Sequence, residues 1–317
     1  MNYQLDKISF CVRSSWGILE FTGDDRVSYL HNQSTNNFNL LKAGEGCQTV
    51  FVTSTARTLD LATTYLTEDA ILVIVSPNRR QQLLKWLDGF IFPFDRVKLT
   101  DISTKFGLIT LMGEQSHHLV RQLFSVDLEK QPEGNHQLAT YQDITLRVAK
   151  GSDLALPGYN LIVPQENLAT ICSLLTEHQI LEIDNHAWEQ LRILQGRPAP
   201  DQELTEEYNP LEAGLWHTIS LEKGCYIGQE TIARLNTYKG VKQKLWGVKL
   251  DCPVTPEIPV TVDTKKVGVL TSYTETTTGE LFGLAYVRTK VAKEGLIVNI
   301  GDATGELVTV PFLSYEL

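Results

Sequence analysis

No stretch of this sequence approaches the ~18 consecutive apolar residues of a membrane-spanning helix. Met1 to Phe10 lacks a basic segment followed by an apolar run, so no secretory leader is expected either. The seven histidines, His31, His117, His118, His136, His178, His186 and His217, form no H-x-x-x-H pair, and the five cysteines contain no C-x-x-C. Neither a structural zinc nor an iron–sulfur ligand set can be read from that spacing, and no metal site is expected. Cys11, Cys47, Cys172, Cys225 and Cys252 are odd in number and scattered, which argues against a disulfide framework and for a reducing, cytoplasmic setting. Basic charge is in deficit, with 28 Lys and Arg against 38 Asp and Glu, a formal charge of −10. That balance disfavours broad binding to nucleic acid or anionic lipid, although a local basic patch can still hold an anion. There is no P-loop and no G-x-S-x-G. Gly44-Glu45-Gly46 lacks the third glycine of a dinucleotide fingerprint and does not sit between a strand and a helix. Asn32-Gln33-Ser34 matches a glycosylation triplet, which carries no meaning without a leader.

What is present is ordinary globular composition, 42% hydrophobic and 21% charged in 317 residues. That length suggests about two domains. The first part mixes strand and helix signals, which points to an α+β class. Strands are expected at Trp16–Phe21, Thr49–Thr53, Thr58–Leu66, Ala70–Val75, Val97–Ile102, Leu108–Met112, Ile144–Val148 and Tyr159–Val163. Thr22, with Asp25 three residues on, reads as the cap of a short helix through Tyr29 and Leu30. Leu83, Leu84, Leu87 and Phe90 mark one face of a second helix. Further helices are expected at Gln115–Phe124, Gln165–Glu177, Asp184–Leu194 and Thr231–Leu235, with a long acidic loop over Asp201–Glu212. Beyond Val241 short strands recur, at Lys244–Leu250, Pro259–Val262, Lys266–Ser272, Leu281–Tyr286, Leu296–Ile300 and Glu306–Pro311. Such spacing suggests a small barrel or sandwich. The expected division is residues 1–240 and 241–317.

The densest chemistry lies in Lys223-Gly224-Cys225-Tyr226-Ile227-Gly228-Gln229-Glu230, where a cation, a thiol, an amide and a carboxylate are hinged by two glycines. A thiol near a lysine and a helix start can gain thiolate character, whereas a free cysteine is more often a small buried hydrophobe. Glu230 and Arg234, spaced i, i+4, suit a helix-surface ion pair as well as catalysis. Asp60 sits in a β-rich run after Arg57, where a solvent-facing strand residue is the plainer reading. Lys239, Lys242, Lys244 and Lys249 form a basic run that reads as one solvated strand face or as an attraction for a polyanionic tail.

The octapeptide Lys223 to Glu230, followed by Ala233-Arg234, resembles the signature of the YgfZ family, a branch of the glycine-cleavage T-protein superfamily. Further matching segments are Gly23-Asp24-Asp25-Arg26 with Tyr29-Leu30 and Gln33-Ser34-Thr35-Asn36, then Ala56-Arg57-Thr58-Leu59-Asp60. Leu191-Arg192-Ile193 with Gly196-Arg197-Pro198, and Glu203-Leu204-Thr205 with Glu207 and Pro210, complete the match. The resemblance covers nearly the whole chain and is weakest in the C-terminal part. It implies an α+β, T-protein-like multi-lobed ring with a small C-terminal antiparallel β-barrel. It also implies that tetrahydrofolate, or a folate derivative, binds in a central channel. The role implied is accessory: support of iron–sulfur cluster assembly or repair in client enzymes, including tRNA-modifying radical enzymes. The partners would then be a folate and iron–sulfur client or assembly proteins, with no direct nucleic acid and no membrane.

On that resemblance Cys225, Lys223 and Asp60 are the candidate catalytic residues. Asp60, Arg192, Gln195, Lys223, Gly224, Tyr226, Gln229 and Glu230 are the candidate folate-binding residues. Lys223 and Arg192 would meet folate carboxylates through charge-assisted bonds, with Asp60 across the channel from Cys225. T-proteins carry an acid in the segment matching Leu191 to Gly196; this chain has Leu194 there, beside Gln195. Leucine cannot accept the paired N–H donors of a pterin edge, which weakens the alternative of a tetrahydrofolate-dependent aminomethyltransferase or other one-carbon transferase. Whether the protein is an enzyme is left open by the sequence, and an accessory factor is the preferred expectation.

Overall fold

The computed structural model describes residues 7–315, which divide into two compact units. The first comprises residues 7–51 and Asp60–Trp188. In chain order its strands and helices are β1 (Ser9–Val12), β2 (Gly17–Thr22), α1 (Arg26–Gln33), β3 (Gly46–Val52), β4 (Thr58–Leu66), β5 (Ala70–Val75), α2 (Arg80–Asp88), β6 (Lys98–Asp101) and β7 (Phe106–Met112). There follow α3 (Ser116–Phe124), β8 (His136–Tyr141), β9 (Ile144–Lys150), β10 (Gly158–Pro164), α4 (Leu168–Glu177) and β11 (Leu181–Glu182). Helix α5 (Asn185–Gln195) crosses the division, and the tip of the β3–β4 segment, Val52–Leu59, belongs to the second unit.

Two sheets organise this unit, β3-β4-β5-β2-β6 and β11-β1-β7-β10-β9-β8. Every residue of β4 and β5 is buried, which is why β5 reads in the sequence as a continuous apolar run rather than an alternation. In the six-stranded sheet the pairs are antiparallel except β1 with β11. One face packs Phe10, Ile109, Leu111 and Leu161 against Leu119 and Val120 of α3 and Ile171 and Leu175 of α4. Arg13 is buried here, its guanidinium lying 3.4 Å from the Trp16 ring centroid and 4.4 Å from that of Trp188, and it is ion-paired to Asp153. Thr63 donates to the same carboxylate at 2.6 Å, so the charge buried there is both paired and hydrogen-bonded.

The second unit comprises Val52–Leu59 and residues 189–315. It contains α6 (Gln229–Thr237) and the strands β12 (Gln243–Leu250), β13 (Pro259–Val262), β14 (Lys265–Glu275), β15 (Leu281–Arg288), β16 (Ile297–Ile300) and β17 (Ala303–Val308). These six strands close into an antiparallel barrel in the order β12-β15-β14-β13-β16-β17. Val248, Val260, Leu270, Ala285, Val287, Val298, Ile300 and Leu307 fill its interior. Of the two architectures the sequence allowed for the C-terminal strands, the barrel is the one formed, and the class is α+β. The packing division falls at Glu189, whereas the expected boundary lay near Gly240.

Some local expectations are corrected. Thr22 ends β2 instead of capping α1, and Asp25 stands at the cap position with its carboxylate given to Arg96. Phe90 lies beyond the end of α2, where Trp86 packs edge-on against it. The basic run is not one face. Lys244 and Lys249 are an odd number of residues apart on β12 and point to opposite sides, and the Lys244 ammonium sits 5.0 Å from the Tyr315 ring centroid.

Candidate functional site

The signature octapeptide lies in the second unit, after the 3₁₀ turn Trp216–Thr218, and its last two residues open α6. Its side chains alternate sharply in exposure. Lys223 and Tyr226 are buried at 5% and 8%, while Gly224 and Cys225 between them are exposed. Tyr226 is seated in an apolar cluster with Ala56, Leu211, Trp216, Ile219 and Ile232, and burial pushes its hydroxyl up to about 12. The Lys223 ammonium lies 4.7 Å from the Tyr226 ring centroid, a cation–π geometry. The thiol of Cys225 is therefore held out between two anchored neighbours. Ile227 and Gly228 form the turn into α6, the Gln229 amide donates to the Tyr226 carbonyl at 3.2 Å, and Glu230 is exposed in the first helical turn.

Gly228 fixes this turn to the β3–β4 tip. Its φ is +82°, and a Cβ there would come within 2.9 Å of both the Thr53 carbonyl oxygen and Val52 Cγ2. Only glycine takes that conformation without strain and allows that approach. The tip is itself a tight turn: the Thr53 amide donates to the Arg57 carbonyl at 2.9 Å, and Ala56 has φ +60°. Arg57 Nη1 donates to the Glu207 carbonyl at 2.7 Å, and the Thr58 amide donates to the Tyr208 carbonyl at 3.0 Å. Three segments singled out in the sequence, the Ala56–Leu59 stretch, the Glu203–Pro210 loop and the octapeptide, are thus joined in one unit.

Arg192 has a different place from the one expected. It is buried at 2% and every guanidinium nitrogen has a protein acceptor. Nε donates to Glu189 at 2.9 Å, Nη1 to Glu203 at 2.8 Å, and Nη2 to Ser272 at 3.0 Å, to Glu189 and to Gln202. Glu203, fully buried, accepts in turn from Thr271 at 2.6 Å and from the Ala199 amide at 3.0 Å. Burial works against the Arg192 charge, and Glu203 and Glu189 outweigh it. The expectation that this guanidinium reaches toward folate carboxylates gives way to a positioning role: it pins α5 and the 197–205 loop to β14. Gln195, at the end of α5, is buried, and its carbonyl accepts from the Phe312 amide at 2.9 Å.

Asp60 lies on β4 in the first unit. It is fully buried, not solvent-facing, which corrects the plainer reading of its strand position. Ser76 donates to both its oxygens, from the amide at 2.9 Å and from the hydroxyl at 2.7 Å, tying β4 to the end of β5. Among the described residues no group of three or more His, Cys, Asp or Glu is arranged to hold a metal ion, and no helix is long and apolar enough to cross a membrane. None of the five cysteines is in a disulfide. Sequence reasoning missed Glu189 and Ser272; the i, i+3 spacing of Glu189 and Arg192 on one helix could have pointed to the first, and no spacing points to the second.

Known proteins give this geometry a context. The profile of the GCVT N-terminal domain matches residues 7–223. A chloroplastic protein of Arabidopsis thaliana, named as a candidate transferase, is 44% identical over 305 residues, covering 96% of this chain and 71% of its own. An aminomethyltransferase of Listeria monocytogenes is 24% identical over 309 residues, covering 94% and 84%. The crystal structure of the glycine cleavage system aminomethyltransferase T from Bartonella henselae superposes with a TM-score of 0.84 at 18% identity, covering 98% of this chain and 87% of that one. The fold is that of the glycine-cleavage T-protein.

Proposed function

Because the chain belongs to the GCVT N-terminal domain family, we propose that it binds tetrahydrofolate or a related reduced folate and serves iron–sulfur enzymes as a YgfZ-type accessory factor. The observation that carries this reading is the exposed Cys225 thiol, presented between buried Lys223 and buried Tyr226 on a turn that only glycine allows. A thiol needed only for packing would be inside. The clients are iron–sulfur enzymes, tRNA-modifying radical enzymes among them, and the setting is a reducing compartment, the cytoplasm in this reading.

The residues at hand suit a folate in kind. A pterin edge offers N–H donors, and Glu230 and Gln229 at the start of α6 supply acceptors. The glutamyl carboxylates call for a cation, and Lys223 is the one within the octapeptide. Gly224 leaves the backbone open beside the thiol, and Tyr226 holds the Lys223 ammonium in place. When bound, the folate supplies amine nitrogens able to carry a one-carbon unit. Cys225 would supply an exposed thiol, open to an incoming client.

The second reading is a tetrahydrofolate-dependent aminomethyltransferase or other one-carbon transferase, favoured by the aminomethyltransferase relatives matched along nearly all of this chain. Against it stand Leu194 in place of an acid and the engagement of both Asp60 oxygens by Ser76. Calorimetry with tetrahydrofolate tests what both readings share, and should give saturable heat for the wild type and a weaker response for Lys223→Ala. Two further measurements separate them. In cells lacking the native protein, Cys225→Ala should leave client radical-enzyme activity low while the variant remains folded. Full complementation by that variant sinks the accessory role; methylene-folate production from an aminomethylated carrier would establish the transferase instead.

A further inference from the structure

The second unit carries a groove of about 550 Å³ that is separate from the octapeptide; neither Cys225 nor Lys223 is among its lining residues. Its floor is the stretch of β14 from Lys266 to Thr271, with Val269 half-exposed, and its wall is the loop from Asp201 to Tyr208. The volume lies in the range of small-ligand sites, roughly 300–1,000 Å³.

Strand register gives the groove an electrical direction. At one end the Glu257 amide donates to the Leu270 carbonyl at 2.7 Å, and Gln202, next to Asp201, accepts from the Ser272 hydroxyl at 2.9 Å. Glu257 and Asp201 are thereby placed beside residues 270–272. At the other end Gly268 pairs with Val287, which sets Arg288 level with Val267 and next to Lys266. The lining also includes Glu207, on the loop wall. Asp201 and Glu257 stand toward one end and Lys266 and Arg288 toward the other, three to five residues of strand apart along β14, roughly 10–16 Å. All four of these side chains are exposed. The backbone of β14 is already paired on both sides by β13 and β15 along most of this stretch, so a ligand would be read by side chains rather than by strand addition.

We propose that this groove binds an extended peptide that ends in a free carboxylate and bears a basic side chain about four residues before it. The carboxylate meets Lys266 and Arg288, the basic group meets Asp201 and Glu257, and the intervening chain lies over Val269 beside Tyr208, whose ring is stacked on Tyr286 at 3.6 Å. A simple anion is disfavoured by the acids at one end, and a simple cation by the bases at the other. Exposed pairs give modest affinity, so the complex is a weak one. This inference does not depend on the folate reading.

The test uses the full chain and three acetylated pentapeptides followed by calorimetry: one lysine and four alanines with a free carboxylate, the same peptide amidated at its end, and the same peptide with norleucine for lysine. The free-carboxylate peptide should bind saturably, and the other two about tenfold or more weakly. Lys266→Gln with Arg288→Gln should remove the effect of amidation while keeping that of lysine. Asp201→Asn with Glu257→Gln should do the reverse. All four positions are exposed, so circular dichroism of both variants should match the wild type. Displaying the same five residues as the tail of a carrier protein distinguishes a protein terminus from a free peptide as the source; binding of either form supports the site. Absence of saturable binding to both forms, or equal affinity for the three peptides, overturns it.

Discussion

Cys225 and Gly228 sit three residues apart and should respond to substitution in opposite ways. The Cys225 side chain is exposed and outside the Tyr226 cluster, so Cys225→Ala should change the free energy of unfolding by no more than about 0.5 kcal/mol in urea titrations. Its effect belongs to chemistry or recognition. Gly228 is the converse. An alanine there must adopt φ +82° and push its methyl against the Thr53 carbonyl, with the Val52 side chain just as close. Gly228→Ala should cost about 1–3 kcal/mol in the same titration and loosen the turn that presents the thiol. If Gly228→Ala proves as stable as the wild type, the β3–β4 tip yields more readily than this packing implies, and the preformed geometry assigned to the octapeptide fails with it.

Elements in the second unit are held together by one buried charge network, and its energetics separate a positioning role for Arg192 from ligand binding. Removing one partner of a buried, hydrogen-bonded ion pair leaves the other charged and unpaired, at a cost of roughly 3–5 kcal/mol. Arg192→Met and Glu203→Gln should each destabilise strongly, and the double variant should cost clearly less than their sum. Arg192→Lys should not rescue, because an ammonium cannot reach Glu189, Glu203 and Ser272 at once. A loss of folate heat with unchanged stability would instead return Arg192 to the ligand. The elements themselves were largely legible. Periodicity located β4, β5 and β13 at their observed bounds, because those strands are apolar or sharply bounded by Pro, Gly or Asp/Thr turns. β8 escaped because His136, Gln137, Ala139 and Thr140 show no clear alternation, and β11 because two residues carry no period. In the candidate site, spacing alone picked out the octapeptide. Of the Arg192 network only the i, i+3 spacing of Glu189 was open to the sequence; Glu203 and Ser272 reach it through the fold, and a buried arginine looks in sequence like one offered to solvent.

Over the whole molecule, the response to acid is set by a few buried groups whose contributions differ in sign. Burial is the main reason His136 is depressed from 6.5 to about 4, and the Arg147 guanidinium donating to its Nδ1 at 2.8 Å adds to the effect. The folded state keeps this ring neutral while the unfolded chain takes up the proton below pH 6.5. Its contribution is therefore intact above that pH and is lost as pH falls toward 4, by about 3 kcal/mol in all. Glu212 acts the other way. Burial raises its carboxyl, so the folded state holds that proton more tightly, and acidification from neutral pH relieves the penalty on the charged form. These opposed slopes partly cancel in the wild type, so the test is a difference between proteins rather than a single curve. His136→Gln will cost packing at every pH, but its deficit relative to the wild type should shrink steadily from pH 7 to pH 4 as the wild type alone loses the histidine contribution. Glu212→Gln should gain most on the wild type at pH 7 and least at pH 4. Chemical denaturation of the three proteins at half-unit steps reads both differences, and a His136→Gln deficit independent of pH would mean that the ring titrates as it does in water.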